Sequence, residues 1–384
     1  MTSVNAFSST ATSICDGLYT RDDATQVVFG VAEELLAELR GMGAVSEPAR
    51  FTAVAVVFDP ESVKRAADEM CARAGADVLL HSSVLGATRV DDRLTTIRLA
   101  DHSGIHEVTA KAFVDATGEA DLAHHAGSEV RYGNDGWVQN GTLGVRLGGI
   151  PAGVEISSKD LKSAVRAAKR AGVEHLTSET GLTARMPISG DLITYLADEG
   201  YDARDAADTS RAEAGARRQA QEHLRVFRTL PGCGDAYIVS TGPELGTRES
   251  RHVVGRYQLT EKEVLSPGPI GDAVAVGAWP IEYHPGPGVP SEWKFIGRPG
   301  YYGIPLDVLR SCDTANLFAA GRTVDGDRGA GGSLRVMGTA LATGHAAGVA
   351  AALTARDGDT GTGPVRAELL SQGAWLPQAY DELS

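Results

Sequence analysis

The sequence predicts an α/β fold, a parallel sheet with a mixed α+β unit inserted into it, on three observations. An apolar strand, Phe113-Val114-Asp115, runs into the glycine turn Ala116-Thr117-Gly118. A second apolar strand, Asn316–Ala320, leads into the glycine-rich loop Gly321–Gly332 and then a small-residue helix, Leu334–Leu353. Between them, residues 128–313 change texture, with Gly/Pro-rich loops such as Pro285–Pro290 and an amphipathic helix over Arg211–Arg228. Strand, glycine loop and helix in succession are the repeating parts of a parallel sheet with helical crossovers.

The elements follow in order. Met1–Ser13 is rich in Ser and Thr and aperiodic. Val27, Val28, Val31, Leu35 and Leu39 recur at helical spacing, so Ala24–Arg40 is predicted as a helix, stopped by Gly41 and Gly43. Asp59-Pro60 opens another helix, with Asp59 as N-cap and Pro60 as its first residue, ending near Ala74. Asp77–Ser82 reads as a short buried strand. Leu85–Val90 and Leu94–Leu99 flank Asp91-Asp92-Arg93 as a hairpin, and Ile105–Ala110 completes a meander before the strand Lys111–Asp115. Past the long helix, Asp357–Gly363 is a linker and Val365–Gln372 a closing helix.

Composition narrows the function. The 384 residues carry 36 Lys and Arg against 50 Asp and Glu, a net charge of −14, which is a poor match for nucleic acid. No stretch approaches the ~20 apolar residues of a membrane span. The first basic residue is Arg21, so no charged segment precedes an apolar one, and a cytoplasmic protein without a signal peptide is expected. Cys15, Cys71, Cys233 and Cys312 are too far apart for a C-x-x-C pair; buried reduced thiols are expected, with no metal site.

Two constellations carry chemistry. In Phe113–Asp121 the strand ends on Thr117-Gly118, where a residue without Cβ lets a phosphate or sugar reach the main chain, although a tight turn needs glycine in any case. In Ala320–Gly338 a glycine loop precedes a helix whose free N–H groups suit a pyrophosphate or an electron-rich ring edge, with Arg322 and Arg335 adding charge-assisted hydrogen bonds.

Together these segments resemble the FAD-dependent oxidoreductases related to the heterodisulfide reductase A subunit, within the glutathione-reductase-type flavoprotein fold. Gln26–Val31, Arg248–Tyr257, Tyr302-Gly303-Ile304-Pro305 and Gly321–Met337 carry the likeness. It implies a glutathione-reductase-like FAD-binding domain in residues 1–127, a substrate domain in 128–313, a closing strand, loop and helix in 314–356, and a linker and helix in 357–384. It further implies that Ser83-Val84 contacts the adenine end of FAD and that Thr117 and Gly118 lie near its adenosine diphosphate. Gly321, Arg322, Gly332 and the helix start Ser333, Leu334, Arg335, Val336 and Met337 would hold the pyrophosphate, ribityl chain and ring. Arg248, Arg251, Tyr283 and His284 would face the substrate, where an arginine steadies a carboxylate or developing oxyanion.

The chain departs from that family in one respect. The fold's opening strand, G-x-G-x-x-G turn and helix are absent; Gly41-Met42-Gly43 follows a helix, not a strand. Three explanations stand: a start further upstream, a second chain that supplies the unit, or a flavoprotein that has lost FAD. Intact apolar strands and turn glycines favour the first. Larger relatives bear cysteine-rich iron–sulfur sites, which this cysteine spacing does not support. The expected function is hydride transfer from a small-molecule substrate to FAD, with an unidentified electron acceptor and a partner chain or homo-oligomer as candidates for association. The alternative is a partner-dependent subunit that does not bind FAD alone. A Ser–His hydrolase is disfavoured because no G-x-S-x-G elbow occurs.

Overall fold

A computed structural model describes residues 14–267 and 271–377; the aperiodic start Met1–Ser13 lies outside them. β1 (Ile14–Asp16), β2 (Ala49–Arg50) and β3 (Val54–Val57) form an antiparallel sheet in the order β1-β3-β2. Helix α1 (Val31–Gly41) begins later than its periodicity predicts, because Gly30 takes φ 66° and Tyr19 bridges Gln26 ahead of it. Helix α2 (Pro60–Arg73) starts as predicted, with the Asp59 carboxylate accepting from the Ser62 N–H. β4 (Ser83–Val90), β5 (Arg93–Asp101) and β6 (Gly104–Thr109) are the predicted meander.

β7 (Phe113–Asp115) and the short helix α3 (Asp121–His125) follow, then β8 (Val130–Tyr132), β9 (Gly141–Gly148), α4 (Ser158–Arg170), β10 (Thr183–Arg185), β11 (Leu192–Glu199), α5 (Ala206–Phe227), β12 (Tyr237–Thr241) and β13 (Arg251–Val253). β10-β11-β9-β12 is an antiparallel sheet, and α5 packs on β9 and β11 with α4 beside it. Val145, Leu147, Leu161, Val165, Leu224 and Phe227 form a core between them.

The rest of the chain comprises α6 (Glu261–Leu265), β14 (Ala273–Gly277), β15 (Ile281–Tyr283), β16 (Glu292–Lys294), β17 (Tyr302–Pro305), α7 (Leu306–Leu309), β18 (Leu317–Ala319), α8 (Arg328–Leu334), α9 (Met337–Asp357) and α10 (Thr362–Ser371). β18 pairs in parallel with β7, bringing Ala319 level with Asp115. Val274, Ile304 and Leu309 join the main core with Val56, Phe113, Phe318 and Ala347. The stretch 128–313 is therefore divided: its middle surrounds one core, and its end returns to the other.

Two expectations fail. Asp77–Ser82 forms no strand, and Val78, Leu79 and Leu80 are 46%, 55% and 55% exposed. A strand needs a hydrogen-bonded neighbour, and no described residue supplies one. The end of the predicted glycine loop Gly321–Gly332 is helical, as α8, and the predicted helix Leu334–Leu353 starts three residues late, as α9; the two meet at 90°, and Val336 between them is extended, with φ −74° and ψ 158°. No single helix among the described residues is long and apolar enough to cross a membrane.

Asn316 ties the meander to the parallel pair. Its side chain accepts from the Leu94 N–H at 2.9 Å and donates to the Leu94 carbonyl at 2.8 Å, both buried, and to the part-buried Lys111 carbonyl at 2.9 Å. Asn316→Ala leaves these backbone groups without partners, and urea denaturation is expected to show a loss of about 3 kcal/mol.

Candidate functional site

The ends of β7 and β18 are fixed by Asp115. Its buried carboxylate accepts from the Thr117 N–H and hydroxyl at 3.0 and 2.7 Å and from the Ala123 N–H at 2.9 Å. The chain thus doubles back into α3, and Gly118 sits in the turn at φ 87°, a conformation that suits a residue without Cβ. Gly321, at the end of β18, has φ 68° and donates its N–H to Thr343 Oγ1 at 3.1 Å. The Arg322 guanidinium lies against Gly118, so close that a Cβ there would collide with Nη2. Arg322 pairs with Glu119 at 2.6 Å, and its Nε is sealed from solvent without a hydrogen-bond partner. Thr117, Gly118, Gly321 and Arg322 thus lie at the ends of the two paired strands. Val84 is not in this turn; it pairs with Leu99 within the meander and packs on the main core.

The predicted helix start is differently placed. Gly332, Ser333 and Leu334 lie in the last turn of α8, all buried. The Ser333 hydroxyl donates to the Trp279 carbonyl at 2.5 Å and lies 2.7 Å from the Tyr302 hydroxyl. A Cβ on Gly332 would meet the Glu282 carbonyl at 2.9 Å. Val336 caps α9, and the Met337 N–H at its start donates to Asp16 Oδ1 at 3.2 Å. Gly338 lies so close to β1 that a Cβ would sit 2.5 Å from the Asp16 carbonyl. Asp16 thus meets the positive end of α9.

A chain of polar groups runs from this point, half-buried at Arg335, Glu282 and His284 and buried at Gln139, Asn140 and Arg248. Arg335 Nη2 donates to the Glu282 carbonyl at 3.2 Å and reaches its carboxylate at 3.4 Å, while Arg335 Nε is sealed and unpartnered. His284 Nε2 lies 3.2 Å from Glu282 Oε1, off the hydrogen-bond axis, and His284 Nδ1 is 3.0 Å from Ser291 Oγ. The His284 N–H donates to Gln139 Oε1 at 3.1 Å. Arg248 Nη1 donates at 2.7 Å to both the Asn140 carbonyl and Thr142 Oγ1. Burial resists ionisation of Glu282, but His284, Arg335 and Arg248 outweigh it and bring the carboxyl to about 2.

Of the four residues expected to face a substrate, Arg248 and His284 share this network. Arg251 does not; it pairs with Asp121 at 2.9 Å and donates to the Glu119 carbonyl, bracing the strand-end turn. Tyr283 points away from Glu282, as alternation along β15 requires; it stacks on Trp137 at 4.7 Å beneath the Arg328 guanidinium. Asp16, Gln139 and Glu282 escaped the sequence reading. Only Glu282 left a trace, standing two residues before His284 on a strand. Cys312 is exposed and Cys71 half-buried, unlike the buried Cys15 and Cys233. Among the described residues no group of three or more His, Cys, Asp or Glu side chains is placed to hold a metal.

Comparison with known proteins gives a family and distant folds. The family profile described as FAD dependent oxidoreductase matches residues 6–366. No curated protein matches. Among solved structures, a geranylgeranyl bacteriochlorophyll reductase-like protein from Thermoplasma acidophilum is 12% identical with a TM-score of 0.39, over 86% of this chain and 63% of that one. The myxobacterial chondrochloren halogenase is 14% identical with a TM-score of 0.43, over 88% of this chain and 66% of that one. An L-proline dehydrogenase from P. horikoshii is 13% identical with a TM-score of 0.36, over 82% and 63%. The chain thus spans less than two thirds of the Thermoplasma protein's length, and likenesses at these scores say nothing about the site.

Two half-buried groups in the network have opposed titrations. Burial and the neighbouring Arg248 hold His284 at about 4, although Glu282 pulls the other way. Burial and Glu282 raise Asp16 to about 6, against Arg335 and the Met337 N–H. The unfolded chain protonates His284 near 6.5 and the folded chain only near 4, so its contribution to stability is lost as pH falls through that window. Asp16 contributes in the other sense, losing stability as pH rises from 3.8 to about 6. His284→Gln removes the first contribution and exposes the second. In urea denaturation across pH, the gap between wild type and variant is expected to grow by about 3 kcal/mol from pH 4 to 6.5; a constant gap means that His284 is not held neutral.

Proposed function

Since the chain belongs to the FAD dependent oxidoreductase family, we propose that it is an enzyme that removes a hydride from a small-molecule substrate, with the strand ends of β7 and β18 on the cofactor side and the Arg248–His284–Glu282–Arg335 network on the substrate side. The observation that carries the reading is the pairing of two parallel strands that both end in left-handed glycines beside an arginine with an unused donor. These residues fit the phosphate and sugar part of FAD. Gly321 leaves the main chain open to close approach, Gly118 makes room for the Arg322 guanidinium, and Arg322 Nε is a donor that no protein group takes. The start of α9 is a poorer match for the ring than the sequence suggested, because Asp16 already accepts from Met337 there and β1 lies on Gly338.

FAD, when bound, supplies the two-electron chemistry by accepting a hydride. The chain's own residues do the rest. Thr117 and Gly118 shape the turn that receives the dinucleotide, and Arg322 shares its charge between Glu119 and the incoming phosphates. Arg248 and Arg335 set a positive field in a buried place, and the ionised Glu282 limits that field. His284, held neutral, can donate or accept a proton at a ring nitrogen without first losing a charge.

The test is FAD titration of the purified protein, followed by flavin fluorescence. Gly118→Val puts a branched side chain where Arg322 lies, and Arg322→Ala removes the donor. Each is expected to weaken FAD binding about 10- to 100-fold, as the loss of one charge-assisted hydrogen bond or more implies. FAD bound equally well by wild type and both variants would refute the assignment of the strand ends. Gly332→Val is instead expected to reduce stability, since its Cβ faces the Glu282 carbonyl.

A further inference from the structure

Arg248 is a buried cation with half of its guanidinium unused. The residue is 9% exposed. Its Nη1 is spent on the Asn140 carbonyl and Thr142 Oγ1. No carboxylate of the described residues forms an ion pair with it. Its Nε and Nη2 make no hydrogen bond among the described residues, and neither is one of the sealed side-chain atoms. The free edge is therefore Nε–Nη2, the side of a guanidinium that matches both oxygens of a carboxylate.

The nearby carboxylates are engaged elsewhere. Glu282 is held by Arg335 and lies beside His284. Asp198 accepts from Asn140 Nδ2 and from the Gly288 N–H, at 3.0 and 2.9 Å, and from the hydroxyls of Thr177 and Ser178. Three further polar atoms of this network lack partners and are sealed from solvent: Asn140 Oδ1, His284 Nε2 and Arg335 Nε. A buried polar group without a partner calls for an explanation, and a bound ligand is one that serves all three. A buried cation without a counter-ion carries the same implication. Burial and the charge of Arg335 bring Arg248 down to about 10, which agrees with a cation lacking a close partner.

We propose that the Nε–Nη2 edge of Arg248 binds the carboxylate of the substrate, so that the enzyme acts on a small organic monoacid. This deepens the oxidoreductase reading above and rests on it for the word substrate. One negative charge is specified rather than two. Glu282 and Asp198 both act on Arg248 through space, and a phosphate dianion would be repelled by them where a monoanion gains a bidentate pair. Arg335 adds to the positive field at this place.

The experiment is calorimetric titration of the full chain, with FAD in excess, by acetate, butyrate and benzoate. The matched amides acetamide, butyramide and benzamide serve as uncharged controls, and inorganic phosphate as the dianion. At least one acid is expected to bind ten-fold or more tightly than its amide and than phosphate. Arg248→Lys keeps the charge and loses the fork, and is expected to weaken that acid at least ten-fold while leaving FAD affinity unchanged. Should Arg248→Lys unfold, Thr142→Val, which frees Nη1 and loosens the fork, is expected to weaken the acid at least three-fold. Acids that bind no better than their amides, or that are indifferent to both substitutions, overturn the proposal; tighter binding of phosphate overturns the monoacid class. Loss of carboxylate binding with the Gly118→Val effect on FAD intact sinks this proposal alone, whereas the reverse result sinks only the cofactor assignment.

Discussion

The buried carboxyl of Asp115 is the point on which the candidate cofactor side depends. Its side chain gathers three donors from the turn that follows, and its carbonyl accepts the Ala320 N–H and the Thr323 hydroxyl. One residue thus fixes both strand ends, which are far apart in sequence, and sets Gly118 facing Arg322. Burial raises its pKa, while the N–H groups and hydroxyl around it act the other way. These hydrogen bonds make a polar group tolerable in a place that is otherwise apolar.

The substrate side is built on the opposite principle. No single residue organises it. Gln139 and Asn140, Arg248, Glu282 and His284, and Arg335 come from four separate stretches. The network carries cations and anions in a low dielectric, where a missing partner is costly. Its unused polar atoms are therefore informative.

How much of this could be read from the sequence depends on whether the signal was local. Asp59-Pro60, the Asp91 hairpin and the strand–glycine turn at Thr117-Gly118 are local chemistry, and all stand where the sequence placed them. Val78-Leu79-Leu80 is apolar enough for a buried strand, but burial needs a neighbour, which three residues cannot specify. Helix α8 reads as loop in the sequence because its glycines, Gly329, Gly331 and Gly332, are poor helix formers, and the start of α9 shifts to Met337 where Val336 is extended and Gly338 meets β1. Arg248 and Arg251 look alike three residues apart, yet one reaches Asn140 and the other Asp121. Partners more than a hundred residues away decide such roles.

The exposed run at Val78–Leu80 has a further, colloidal consequence. It is an uncharged, adhesive stretch on a molecule whose net charge is −14. At low ionic strength, repulsion between like-charged molecules keeps such stretches apart. At 1 M salt the Debye length shrinks to about 3 Å, so that repulsion no longer reaches from one surface to the next. The chain is then expected to self-associate through this run, so its solubility falls with added salt long before its fold is affected.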